Sequence, residues 1–216
     1  MAASLSSQIA YAFFGIVIVL CIATVRCAPV SNTSSSTTNL VPCESTDAAT
    51  TSHIILPHAT AFLDACKNVF DDFVVSRSGP LPNDYLELFA EYIPNIAVFS
   101  DNMSENERLA THYFILEGFR RPMEAVIIDD GQYPETQRFD AELQNLSQLL
   151  QTVTQGVQEL VCSNGASGQS PIGAMEDLLL PSRDNYVDRI LWDYTVLYYM
   201  NQYSSNLHSD ILISIP

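Results

Sequence analysis

Phe139, Leu143, Leu146, Leu150, Val153, Val157 and Leu160 recur at spacings of four and three residues, which predicts a helix with an apolar seam along one side. A second stripe runs through Ala59, Phe62, Leu63, Cys66, Val69, Phe70, Phe73 and Val74. A third follows Val187, Ile190, Leu191, Tyr194, Leu197 and Tyr198, and a weaker fourth joins Leu109, Tyr113 and Leu116. Such helices are stable in water chiefly when their apolar faces meet. In chain order the links between the four are long, short and long, so the first two helices must run parallel to each other and so must the last two. The expected fold is all-α: a long-chain four-helix bundle of up-up-down-down plan with two long crossover loops.

Breakers and caps set the expected boundaries. The first helix spans 52–76, with Pro57 tolerated only in its first turn, and Gly79, Pro80 and Pro82 stop it. Residues 77–103 hold three prolines and an apolar set, Leu86, Leu88, Phe89, Tyr92, Ile93, Val98 and Phe99, too rich for a free loop. This crossover must pack across the bundle. Ser104 with Glu107 reads as a capping box that opens the second helix; Pro122 should kink or divide it, and Asp129, Asp130 and Gly131 end it. Pro134 and Glu135 open the third helix, and Cys162, Asn164 and Gly165 close it. Residues 163–183, with Gly165, Gly168, Pro171, Gly173 and Pro181, form the second crossover. Asp184 is the expected cap of the last helix, which runs to about Ser209 and leaves an apolar tip of Ile211, Leu212, Ile213 and Ile215.

A chain of 216 residues is most economically one domain, large enough to bury a core without metals. The apolar run at 11–24 is short for a membrane span, and small residues follow around Cys27 and Ala28. Residues 1–27 therefore read as a signal peptide, 28–50 as a solvated Ser/Thr-rich tail and 51–216 as the bundle. No Lys or Arg precedes the run, and an uncleaved anchor is the alternative. On the signal-peptide reading the mature chain is extracellular and inserts in no membrane. Net charge is -16, and loss of Arg26 with the signal takes it to -17. A field of that sign repels phosphate backbones and anionic lipid, which argues against nucleic acid as a partner. It serves solubility, or it matches a basic groove on a receptor.

Of five cysteines, Cys21 and Cys27 leave with the signal. Three in an oxidising compartment make one bridge and one spare thiol. Cys66 lies on the first apolar stripe, where a reduced cysteine behaves as a small hydrophobe. That leaves Cys43 and Cys162 as the bridge, pinning the tail to the end of the third helix for about 4 to 5 kcal/mol in the chain-entropy model.

Three segments resemble a known family. Ser78, Gly79, Pro80, Leu81, Pro82, Asn83, Asp84, Tyr85 and Leu86 are similar to the stretch after the first helix of leukaemia inhibitory factor. Ser104, Glu105, Asn106, Glu107, Arg108 and Leu109 are similar to the start of the second helix of ciliary neurotrophic factor, and Trp192, Val196, Leu197, Tyr203, Ser204 and Leu207 to its last. Cys43 and Cys162 occupy places similar to a disulfide of the first. The chain thus resembles the interleukin-6 family of cytokines, in the branch of these two proteins. The resemblance implies a secreted ligand, monomeric before receptor binding, that assembles a leukaemia inhibitory factor receptor-like chain with a shared signal-transducing receptor subunit. Both receptors carry fibronectin-like domains and signal through associated kinases and a STAT-class transcription factor.

The family's contacts carry over to named positions. Its first receptor site pairs an aromatic ring with a cation three residues later at the start of the last helix, which Tyr186 and Arg189 match. Alignment through Trp192 substitutes Val187 and Ile190, and a helix-start staple is the structural alternative for Tyr186. The second site uses exposed faces of the first and third helices. Here those faces carry Asp64, Lys67, Asn68 and Asp71, then Gln144, Gln148, Gln151 and Gln155, residues that an ordinary solvated face also explains.

Signatures of other chemistry are weak. His53 and His58 are five apart rather than four and lack a carboxylate motif for a metal. Cys66 and His112 can be written as thiol and base, but a cysteine on a core stripe is packing. Residues 165–173 lack the lysine of a phosphate loop. No enzyme activity, cofactor or metal is expected. Asn32, Asn102 and Asn145 each begin an Asn-x-Ser/Thr sequon for a secretory glycan, and a glycan at Asn145 would crowd the second receptor site unless that site lies towards Gln148 and Gln155. A different class of function, a secreted helical carrier enclosing a small apolar ligand, fits the same aromatic stripes.

Overall fold

The computed structural model describes residues 41–43, 52–99, 102–164 and 180–213, all within one unit, Thr38–Pro216. The expected signal segment, Asn32 and most of the tail and of the second crossover lie outside the described residues. Among the described residues all regular structure is helical.

Helix α1 spans Ser52–Phe73 and widens into a π turn, Val74–Ser78, before Gly79 at φ 64°. The Gly79 amide donates to the Val74 carbonyl at 2.8 Å, and its missing Cβ permits the left-handed backbone that ends the helix. Pro57 sits beyond the first turn, contrary to expectation. It is exposed, so the helix loses one hydrogen bond near its end while Ile55 and Ala59 on the opposite side stay buried.

Part of the segment after Gly79 packs its apolar side chains onto the long helices. It contains the short helix α2, Asn83–Glu87, and a 3-10 turn, Ala90–Tyr92. Leu86 and Ile93 are buried, and Phe89 stands edge-on to Trp192, ring centroids 5.8 Å apart.

Helix α3, Glu105–Asp130, begins at the capping box: the Glu107 amide donates to the Ser104 hydroxyl, and the Glu107 carboxylate accepts from the Ser104 amide. It continues unbroken through Pro122. The expected division fails because Phe119, Met123, Ala125 and Val126 are all buried around the proline, and packing on both sides outweighs one missing hydrogen bond.

Helix α4, Asp140–Ser163, starts later than Pro134. A separate 3-10 turn, Glu135–Gln137, comes first, and Arg138 is extended. The reason is local: the Asp130 carboxylate accepts from the Phe139 amide at 3.1 Å, so a side chain of α3 starts α4 where it reaches. The Leu143, Leu146, Leu150, Val153, Val157 and Leu160 seam is buried, and Gly156 lets α1 approach, since a Cβ there would stand 2.9 Å from Ile55 Cδ1.

Helix α5, Tyr186–Ile213, departs most from its pattern. Its cap is Asn185, whose side chain accepts from the Asp188 amide at 2.9 Å. Asp184 instead accepts from Ser182. Val187 is 61% exposed, whereas Trp192, Val196, Met200, Tyr203, Leu207 and Ile211 form the core face. The helix is apolar round much of its circumference, so the stripe caught only part of its inner side: Tyr194 and Leu197 are buried, and Ile190, Leu191 and Tyr198 half-buried. Burial of Ile211 also carries the helix past Ser209. Helix α1 packs on α5 and α4, and α3 packs on α4 and α5.

Candidate functional site

At the start of α5 an exposed ring stands over a buried charge network. Tyr186 is 45% exposed and sets its ring edge-on to Tyr133 at 5.5 Å. Beneath it, Arg77 forms an ion pair with Asp130 and donates to the Gln137 carbonyl. The Arg77 guanidinium lies 4.0 Å from the Tyr133 ring centroid and 4.7 Å from that of Phe139, so ring faces replace much of the water it gives up. The Tyr133 hydroxyl donates to Asp193 Oδ2 at 3.1 Å. Burial drives the Asp193 carboxyl well above the usual range, and nearby Asp129 adds to the effect. Arg183 Nε is 3.3 Å from Asp129 Oδ2, and Arg183 also faces the Trp192 ring.

Arg189, the expected cation beside Tyr186, is half-buried rather than at an open rim. Its Nη1 donates to the Arg183 carbonyl at 3.5 Å, and its charge acts on Asp129, whose carboxyl is raised by burial and held back by Arg183 and Arg189. This end is a network of buried ion pairs and rings that presents Tyr186 and Val187 to solvent.

The opposite end carries a clasp. His112 is buried, with Nε2 2.9 Å from Asp210 Oδ2 and Nδ1 2.9 Å from the Tyr203 hydroxyl. The single Tyr203 O–H lies within reach of both His112 Nδ1 and the His112 carbonyl, the latter at 3.2 Å, and Nε2 faces the Asp210 carboxylate. Burial lowers the His112 pKa against the opposing pull of Asp210. Arg108 pairs with the same carboxylate at 3.4 Å. The Tyr203 side chain has no exposed surface, and its hydroxyl joins α3 to α5.

The second expected surface is solvated on both helices. Asp64, Lys67, Asn68 and Asp71 are exposed on α1, with Lys67 and Asp71 3.9 Å apart. Gln144, Gln148, Gln151 and Gln155 are exposed on α4, and Asn145 is exposed beside them. Gln151 and Gln155 also line an open groove of about 510 Å³ with Glu117 and Arg120 of α3. They thus turn partly towards α3.

Cys43 and Cys162 are bonded, 119 residues apart. Cys66 is a buried free thiol, its pKa pushed up by burial; that environment suits packing and not nucleophilic attack. Among the described residues no group of His, Cys, Asp and Glu suits a metal ion, and no helix is long and apolar enough to cross a membrane.

No family model, characterised protein or solved structure matches this chain.

The sequence pattern missed the Arg77, Asp130 and Asp193 network. One signal was available: Asp193 is a lone acid inside the apolar run from Ile190 to Leu197, and such an acid on a core helix needs a buried donor.

Proposed function

We propose that the chain is a secreted helical cytokine that joins two cell-surface receptor chains, a leukaemia inhibitory factor receptor-like chain and a shared signal-transducing subunit, and triggers STAT signalling. The observation that carries this reading is how the long helices meet. Phe70 faces Tyr194 at 5.3 Å and His208 reaches Thr60 at 3.2 Å, so α1 and α5 run antiparallel. His112 with Tyr203, and Asp129 with Arg183 just before α5, do the same for α3. Arg77 meets both the end of α3 and Phe139 ahead of α4. These contacts support an up-up-down-down bundle in which residues between α1 and α3, and between α4 and α5, act as long crossovers.

On this reading Tyr186 and Val187 engage one receptor, and the α1 and α4 faces engage the other. The carrier alternative has less support, because Phe62, Phe119, Trp192 and Tyr203 are fully buried in one contiguous core. Two measurements test the proposal: STAT phosphorylation in cells exposed to the folded protein, and size-exclusion chromatography with soluble receptor ectodomains. A ternary complex is the expected result. Absence of any complex, with a small apolar compound released on solvent extraction, overturns the reading in favour of the carrier.

A further inference from the structure

We infer that Asn102, and not Asn145, is the N-glycan acceptor of the folded region; the inference rests on the proposed secretion. Both are exposed, so exposure does not separate them. Backbone shape does. Transfer to a sequon requires the hydroxyl two residues on to lie beside the asparagine amide. Asn145, Leu146 and Ser147 lie inside α4, where residues two apart point to different sides, and Leu146 is fully buried between them. Asn102 is in a turn ahead of α3, and Ser104 has extended backbone, φ -64° and ψ 159°. No helix has to open there for the sequon to adopt a bent, accessible shape.

The donor is a lipid-linked oligosaccharide diphosphate. Asn102 Nδ2 attacks the first sugar carbon, the carbon to phosphate oxygen bond breaks, the lipid diphosphate leaves with that electron pair, and Nδ2 gives up one proton. The product places a glycan at the Arg108, His112 and Asp210 end of the molecule, opposite Tyr186, so receptor contacts at the start of α5 stay clear.

Ser104 is also the cap of α3, so removing its hydroxyl confounds glycosylation with folding. The test is therefore made at the asparagines. The full chain is expressed in animal cells behind its own leader and, in parallel, behind a proven secretion signal, as N32Q, N32Q/N102Q and N32Q/N145Q. Mobility is compared before and after amidase removal of glycans. One glycan is expected on N32Q and N32Q/N145Q and none on N32Q/N102Q. A glycan that persists in N32Q/N102Q overturns the inference, whether or not N32Q/N145Q is also modified, as does an unmodified N32Q chain secreted by the proven signal. Secretion and modification with the proven signal alone would instead overturn the secretion reading and leave the acceptor assignment standing.

Discussion

Arg77 and Asp130 form an ion pair with side chains 0% and 1% exposed. It joins the end of α1 to the end of α3, and Asp130 at the same time accepts from the Phe139 amide that starts α4. One carboxylate therefore sets the meeting point of three helices.

Breaking that pair from one side leaves a buried charge alone, which costs about 3 to 5 kcal/mol. Arg77→Met and Asp130→Ala should each lower the denaturant midpoint by an amount of that order. Asp130→Asn, which keeps an acceptor for Phe139, should cost less than Asp130→Ala. The double variant Arg77→Met with Asp130→Asn should lose less than the sum of its parts. Strict additivity would show that the two residues act independently.

Tyr186 and Trp192 should separate binding from folding. Tyr186→Ala should weaken receptor binding by about 2 kcal/mol or more, as loss of an aromatic anchor does, with little change in melting temperature. Trp192→Ala should destabilise by about 3 to 5 kcal/mol, because its indole is fully buried. Arg189→Ala should cost roughly 1 kcal/mol of stability, since its side chain turns towards Arg183 and Asp129. Unchanged affinity for Tyr186→Ala, corrected for the folded fraction, would remove the proposed contact.

Acid and alkali should act on opposite ends of the molecule. The folded pKa of His112 is lowered from 6.5, so its contribution to stability is full above that value and is lost as pH falls through the folded one. Asp210, lowered from 3.8 chiefly by its hydrogen bond with His112, adds a loss of the same sign at lower pH. Asp193 works the other way. Its carboxyl is raised above 3.8, so its contribution is present below 3.8 and is lost as pH rises through the folded value. Melting temperature measured from about pH 4 to pH 8 should fall less on the acid side in His112→Gln and less on the alkaline side in Asp193→Asn. Parallel profiles for wild type and both variants would refute these assignments.

The cysteines should divide by accessibility. Cys43→Ser should cost about 4 to 5 kcal/mol if the chain-entropy account holds, because it frees a segment in which Val41 is buried and the Pro42 carbonyl accepts from Gln158. Native protein should react with no thiol reagent until unfolded, since Cys66 is buried and its thiol is held protonated. Labelling of Cys66 at native conditions at a rate independent of unfolding would contradict that placement.

Period and punctuation in the sequence determined where the helices lie. The α1 and α4 stripes face inward as read, Ser104 and Glu107 cap α3, and Gly79 ends α1, because each depends on interactions within a few residues. The same locality put Tyr186 and the α1 and α4 faces on the surface. Tertiary structure alone decided the rest of the inner side of α5 beyond Tyr194 and Leu197, the continuity of α3 through Pro122 and the delayed start of α4. It also turned Arg189 inward and brought Arg77, Asp130 and Asp193 together with Tyr133. Arg77 and Asp130 lie 53 residues apart and Tyr133 and Asp193 60, and a buried charge in such a network is tolerable only because another helix supplies its partner.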